Sequence, residues 1–348
     1  MTGSEPAVAL RRIAFLLERS QSPTYRVKAF RGAAAAIAGK SVDELAEMVT
    51  AGTLKTIPGI GPKTATVITQ ALSGRIPDYL ADLEAKAGAL AEGGQELRGL
   101  LRGDLHTHSN WSDGGSPILE MALAAADLGH EYLALTDHSP RLTVANGLSP
   151  ARLGQQLDVV TKINTQVTGF RLLSGIECDI NEDGSLDQTD EMLDRLDIVV
   201  ASVHSKLRSA RAVMTERMLA AVCNPRVNIL GHCTGRLVAQ GADTSRPARR
   251  PESEFDAAAV FAACAENGVA VEINSRPERL DPPRRLLRQA IEAGCLFSID
   301  TDAHAPGQLD WQIYGCQRAE ECGVPADRVI NTWPLPDLLS WSRRHRSP

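Results

Sequence analysis

From about residue 100 onward the chain repeats one pattern. A short apolar or β-branched run ends in a polar residue, usually His, Asp or Glu, and a stretch with helical spacing follows. The runs are Leu100 to His106, Tyr132 to His138, Arg171 to Glu177, Ile198 to His204, Val227 to His232, Val269 to Asn274 and Phe297 to His304. Strand and helix signals alternating at this length predict βα units and a parallel sheet. Seven units with every polar terminus at the same end predict a barrel whose functional residues gather at the C-terminal face of the strands. The residues before 100 follow a different period. Apolar Leu10, Ile13, Phe15, Leu16 and Leu17 recur at helical spacing, which predicts helices at about 6–19, 23–38 and 41–50. Ser41 three residues before Glu44 is a capping-box signal for the third of these. The fold class is therefore α/β, with an all-α region in front.

A tight turn follows the three helices. In Leu54-Lys55-Thr56-Ile57-Pro58-Gly59-Ile60-Gly61-Pro62-Lys63-Thr64-Ala65 the two glycines bracket an apolar Ile60, and the next helix opens with Lys63 beside its N-terminus. Backbone N–H groups, a positive dipole end and a lysine together make a phosphate site indifferent to base sequence. The Gly93-Gly94 pair lies in Ala87 to Gly103, which reads as a helix end and linker. The expected organisation is a helical domain at 1–90, a linker at 91–100 and the βα domain at 101–342.

Histidine placement adds the chemistry. The chain has only 8 histidines. Six of them, His106, His108, His138, His204, His232 and His304, fall at the strand ends, and only His130 and His345 do not. Together with Asp113, Glu177 and Asp302 they form a set of nine that is hard to satisfy without metal. His106 and His108, at i and i+2 in extended chain, point to one side and can share an ion, as can Asp302 and His304. Nine ligands exceed the needs of one ion. A mixed imidazole and carboxylate set predicts two or three divalent ions of the Zn, Mn or Fe class, with Glu177 a natural bridge. Lys206, Arg236, Arg276 and Arg279 lie just beyond strand ends, where a cation can hold a substrate phosphate, Lys206 and Arg276 being the leading candidates.

Composition and charge narrow the class. The 348 residues fit about two domains, and 43% hydrophobic with 23% charged residues is the globular norm. No apolar run approaches the roughly 18 residues needed to cross a bilayer, and the first twenty residues read as a charged amphipathic helix, so a cytoplasmic protein with no membrane partner is expected. A monomer is the accompanying expectation. Seven scattered cysteines without a C-x-x-C pair read as free thiols, Cys233 beside His232 included. Residues 11–75 carry ten Lys and Arg against four acids, a net of +6, while the whole chain is −6. A basic segment on an acidic body suggests a polyanion for the first and cations for the second. Thr244 to Pro251 (TSRPARRP) reads as an exposed basic loop that could touch nucleic acid.

Two resemblances follow from these residues. The stretch Ile57-Pro58-Gly59-Ile60-Gly61, with Ala65 and Ile68 at helix spacing, resembles the helix-hairpin-helix motif of DNA repair proteins. With SPTYRVKAFRGAAAAI it extends to the amino-terminal eight-kilodalton domain of family X DNA polymerases. That resemblance implies DNA backbone binding through Gly59, Gly61 and Lys63. The Schiff-base lysine of lyase-active polymerases falls at Val67, so the resemblance does not extend to a lyase. The second set, Asp104-Leu105-His106-Thr107-His108, Thr136-Asp137-His138, Gly175-Ile176-Glu177, Ser202-Val203-His204, Gly231-His232 and Asp302-Ala303-His304, resembles the polymerase and histidinol phosphatase (PHP) domain. It implies a distorted (β/α)7 barrel with a trinuclear site. The first ion would take His106, His108, Glu177 and Asp302, the second Asp113, His138 and His304, and the third Glu177, His204 and His232.

The stretches GIECDINEDGSLDQTDEMLDRLDIVVASVHS, GHCTGRL and VEINSRPERLD resemble the PHP domain of bacterial family X polymerases in particular. The palm and fingers of those polymerases have no room in the about twenty residues between Leu83 and Gly103. What remains is a DNA grip joined to a metal phosphoesterase. Expected is a 3′-5′ exonuclease, 3′-phosphodiesterase or phosphatase of DNA repair that attacks phosphorus with metal-bound hydroxide, a separate polymerase supplying synthesis. A small-molecule phosphatase, such as one for histidinol phosphate, is the alternative.

Overall fold

The computed structural model describes residues 5–238 and 250–343. Contacts divide them into two units, through Ala89 and from Leu90. The first unit holds five helices, α1 (Pro6–Arg19), α2 (Thr24–Ile37), α3 (Val42–Thr50), α4 (Pro62–Leu72) and α5 (Asp78–Lys86). The Ser41 side chain accepts from the Glu44 amide while Glu44 accepts from the Ser41 amide, so the capping box forms as its spacing predicts. Leu10, Ile13, Leu17, Phe30, Ile37, Val67 and Ile68 make the core of this unit. Gly59 adopts φ +90°, a conformation open to glycine at little cost, and Gly61 caps α4, its amide donating to Thr64 Oγ1 at 2.9 Å. Lys63 is exposed, with Nζ 4.1 Å from the centre of the Tyr79 ring.

The second unit carries seven parallel strands, β1 (Gly103–Thr107), β2 (Tyr132–Leu135), β3 (Arg171–Asp179), β4 (Ile198–Ser202), β5 (Ile229–Leu230), β6 (Ala270–Asn274) and β7 (Leu296–Asp300), ordered in space as in sequence. Near-continuous apolar strands of this kind suit a sheet covered on both faces. Helices pack outside them. Residues read as linker include a short helix, Gln95–Leu100, whose Gly94 and Leu97 amides donate to the Glu320 carboxylate.

The result is a nearly closed, distorted seven-stranded barrel. Its distortion has two sources. β3 pairs with β2 through Arg171–Ser174 and with β4 through Gly175–Asp179, so it turns from one neighbour to the other midway. The β1–β7 closure has a single backbone bridge, Thr107 with Ala303, and is otherwise made by side chains. There Asp300 accepts from the Leu105 amide at 2.8 Å, and Asp104 from the Thr301 hydroxyl at 2.5 Å. Inside, Leu105, Tyr132, Leu173, Ile198, Val200 and Ile229 pack with Ile330, Leu338 and Trp341 of the C-terminal segment. The Tyr132 hydroxyl, at the start of β2, donates to the Asn331 carbonyl at 3.0 Å. The C-terminal segment therefore fills the N-terminal end of the barrel and leaves the opposite end to the histidines.

Candidate metal centre

Glu177 lies in the second half of β3, 1% exposed, and five imidazoles surround its carboxylate. Oε1 is 2.8 Å from His232 Nε2 and 3.1 Å from His204 Nε2. Oε2 is 2.9 Å from His138 Nδ1, 3.4 Å from His106 Nε2 and 3.6 Å from His108 Nε2. The two oxygens thus serve two groups of rings, as a bridging carboxylate must. The other carboxylates lie further out. His108 Nε2 is 3.3 Å from Asp302 Oδ1, and Asp113 Oδ1 is 3.4 Å from His304 Nε2 and 3.5 Å from His138 Nε2.

Three sets of these side chains converge closely enough to share an ion: His106, His108 and Asp302; His108, Asp113, His138 and His304; and His138, Glu177 and His204. His232 lies outside them but touches the same Glu177 oxygen as His204. One pairing differs from the sequence expectation. Asp302 has φ +53°, so Asp302-Ala303-His304 is not extended, and His304 turns toward Asp113 and His138 instead of sharing the set of Asp302. His106 and His108 do share one set, across the end of β1, whereas Asp302 and His304 do not because the chain turns between them.

A carboxylate fixes two of the rings from behind. His106 Nδ1 is 2.5 Å from Glu272 Oε1, and His204 Nδ1 is 2.6 Å from Asp179 Oδ1, which turns each Nε2 toward the centre. Glu272 Oε2 also accepts from the His232 amide at 2.5 Å. Asp137 accepts from the Ser109 amide at 2.8 Å, the Ser112 hydroxyl at 2.5 Å and Gln156 at 2.6 Å, which pins the loop that carries Asp113. These residues are absent from the sequence-derived set. A charged Glu272 inside the apolar run Val269–Asn274 was the available signal, as was Asp179 two residues beyond Glu177 on the same strand face.

The electrostatics follow from burial and proximity. Burial opposes the charged form of every ring. In His106 the Glu272 and Glu177 carboxylates override it and lift the imidazole well above its ordinary value. In His108, burial with His304 and His138 alongside pushes the ring down to about 3, so it is a neutral donor of lone pairs. Burial opposes ionisation of Glu177, yet His204, His106 and His138 hold it well below the usual carboxylate range. Burial also opposes ionisation of Asp302, and Arg276 and Arg279 outweigh it.

The site passes a chemical test for divalent ions. Among the described residues, His106 Nε2, His108 Nε2, His138 Nδ1, His204 Nε2 and Glu177 Oε2 are buried with no hydrogen-bond partner. Buried polar atoms are rarely left this way. Imidazole and carboxylate donors converging on one small volume suit Zn, Mn or Fe.

The cations named from sequence divide. Lys206 is exposed, two residues beyond His204, at φ +53°. Arg276 is engaged, with Nε on Glu278 at 2.7 Å and a terminal nitrogen 3.2 Å from the Asp302 carbonyl and 3.0 Å from His304 Nδ1. Arg279 places Nε 3.0 Å from Asp302 Oδ2, and its Nε and Nη1 are buried with no hydrogen-bond partner among the described residues. Arg236 donates to the Arg279 carbonyl at 3.0 Å. Gly59, Gly61 and Lys63 belong to the first unit. In the basic stretch Thr244–Pro251, residues 244–249 lie outside the described residues, as does His345.

Family models match both parts of the chain, a helix-hairpin-helix domain at residues 1–75 and a PHP domain at residues 104–276. The chain belongs to the PHP-domain family of phosphoesterases. In front of its PHP domain stands a helix-hairpin-helix domain. Among curated relatives, a DNA polymerase/3′-5′ exonuclease PolX from Bacillus subtilis (strain 168) is 38% identical over 71% of this chain, which spans 42% of that protein's length. A "probable phosphatase" from Serratia proteamaculans (strain 568) is 28% identical over 70% of this chain and 95% of its own length. A solved histidinol phosphate phosphatase from Lactococcus lactis subsp. lactis Il1403 aligns over 64% of this chain and 94% of its own, at 17% identity and a TM-score of 0.44. Among the described residues no helix is long and apolar enough to cross a membrane.

Proposed function

We propose that this protein is a metal-dependent phosphoesterase that processes DNA 3′ ends in repair, as a 3′-5′ exonuclease or a 3′-phosphodiesterase or phosphatase. The observation that carries the reading is the joining, in one chain, of a helix-hairpin-helix domain and a PHP domain. In this reading Gly59, Gly61 and Lys63 hold the DNA backbone without regard to base identity. His106, His108, Glu177 and Asp302 hold one ion, Asp113, His138 and His304 a second, and Glu177, His204 and His232 a third. When bound, such ions supply charge neutralisation at the phosphoryl oxygens and an activated water. Glu272 and Asp179 fix the rotation of His106 and His204. Arg276 holds Asp302 and His304 in place. Arg279 is ion-paired to Asp302 through Nε, and its Nη1, which has no hydrogen-bond partner among the described residues, is the group that can meet a substrate oxygen, while the exposed Lys206 can meet one further out. In this reading synthesis falls to a separate polymerase. A cytoplasmic monomer is part of the same reading.

The second reading is a small-molecule phosphatase, favoured by the match along nearly the whole length of the Serratia protein. One experiment separates the two. The intact, metal-loaded protein is given labelled 3′-recessed and gapped duplexes, and in parallel histidinol phosphate, as wild type, as His108→Ala and as Lys63→Ala. Shortening of DNA from its 3′ end that disappears in His108→Ala and slows in Lys63→Ala is expected. Turnover of histidinol phosphate alone, without salt-sensitive DNA binding, would overturn the DNA reading.

A further inference from the structure

Beside the metal face the barrel carries a second concave feature, a groove of about 590 Å³. Four arginines line it: Arg211, Arg236, Arg250 and Arg285. Glu252 and Glu254 are the acids among its described lining residues, so the groove is net positive on a chain whose net charge is −6. Its pairing leaves cation to spare. Glu252 is shared between Arg236, at 3.4 Å, and Arg285, while Arg211 reaches Asp256 at 3.1 Å and Arg250 donates to the Gly235 carbonyl at 2.5 Å.

Further positive charge lies behind this lining. Arg318 is 3% exposed, and its Nε and Nη1 have no hydrogen-bond partner among the described residues. Burial, followed by nearby Arg236, pushes Arg318 down to about 10. Arg250 is likewise lowered by burial and by Arg279. Asp281 offsets part of this charge, yet the five guanidinium groups Arg211, Arg236, Arg250, Arg285 and Arg318 still outnumber the carboxylates Glu252, Glu254, Asp256 and Asp281.

The groove is tied to the metal centre by a short path. Arg236 donates to the main chain at Arg279 and Leu280, and Arg279 reaches the carboxylate of Asp302. A volume near 590 Å³ suits a ligand larger than a lone phosphate, and the planar guanidinium fork is suited to phosphate oxygens.

We propose that this arginine groove binds the phosphodiester backbone of single-stranded DNA next to the nucleotide at the metal centre, so that the PHP domain grips its substrate strand itself. The proposal rests on the DNA reading given above. The groove takes oligonucleotides and has no role for a lone phosphomonoester.

The test measures binding separately from cleavage. The full-length protein in the Lys63→Ala background, held in chelator, is titrated into a fluorescein-labelled oligothymidylate and followed by anisotropy over a range of salt concentrations. R211Q/R285Q should weaken binding about 20-fold near 0.1 M salt and reduce the salt slope by about 1.4, as loss of two single-strand phosphate contacts requires. R211K/R285K, which keeps both charges, should bind nearly as the parent does. If thermal melting shows that the glutamine pair disturbs folding, R285Q alone is read, with about a fivefold loss expected. Unchanged affinity in the glutamine variants, or no salt-sensitive binding by the parent, would overturn the groove. The two readings fail separately. Arginine-dependent binding by a metal-loaded protein that releases nothing from DNA overturns the 3′-processing function and leaves the groove standing. Digestion of DNA with binding and KM unchanged in R211Q/R285Q does the reverse.

Discussion

Replacing Glu272 by alanine tests whether the support behind the histidines sets metal affinity. Glu272 is fully buried, accepts from the His232 amide at 2.5 Å and lies 2.5 Å from His106 Nδ1. Glu272→Ala removes both contacts and leaves His106 free to rotate its Nε2 away from Glu177. Loss of a carboxylate behind a ligating histidine costs metal affinity about 10–100-fold, or roughly 1.4–2.8 kcal/mol. The same change leaves the His232 N–H and one His106 nitrogen buried without partners, about 1–3 kcal/mol each in the metal-free protein. Glu272→Gln should fall between, because its amide oxygen can still accept from His106 while its NH₂ would face the His232 N–H. Competition against a chromogenic zinc chelator reads the first quantity and urea unfolding of chelator-treated protein the second. Wild-type zinc affinity in a folded Glu272→Ala protein would refute the argument that Glu272 orients the site.

Other outcomes follow from features at a distance from Glu272. Saturating zinc or manganese at about 100 times the dissociation constant should add about 2.7 kcal/mol to stability, read as a rise in Tm that EDTA reverses, and His108→Ala should lose most of that rise. Ile68→Ala, in the core of the helical unit, should cost about 2–5 kcal/mol in urea unfolding of that unit and weaken DNA binding, with metal content by mass spectrometry unchanged. Ellman's reagent should react with exposed Cys223 quickly and with partly exposed Cys322 slowly. The other five thiols are buried, burial lifting Cys295 and Cys316 to about 12, and should appear only on unfolding; a third native reactive thiol would contradict the packing.

Much of this site is legible in the sequence because its chemistry sits where the periodicity breaks. Each of His106, His138, His204, His232 and His304 stands at or just past the end of an apolar run, so the sheet register and the histidine positions predict one another. What the sequence hides is contact between distant segments. Gly103 reads as the end of a linker, yet it opens β1 and a Cβ there would collide with the Tyr132 ring. Arg276 reads as a free cation beyond a strand, and only the fold brings Asp302 and His304 to it. The turn at Asp302 is equally silent, since a left-handed aspartate leaves no mark on the residue pattern. The β5 run from Val227 shrinks to Ile229–Leu230, for pairing with both neighbours is brief.

The seam between β1 and β7 would give an ion bound there a mechanical part in the fold. His106 and His108 stand on one side of it and Asp302 on the other, at the one place where neighbouring strands share a single backbone bridge. An ion gripped by these three side chains is a rivet through the first and last staves of a cask. It closes a loop of about 200 residues, and the entropic cost of that closure grows only slowly with length. The rivet cannot be set while the ribosome is still making the last stave, because Asp302 is not yet there. An ion held by this set would therefore be acquired late in the life of the chain, and would tie the barrel shut as it bound.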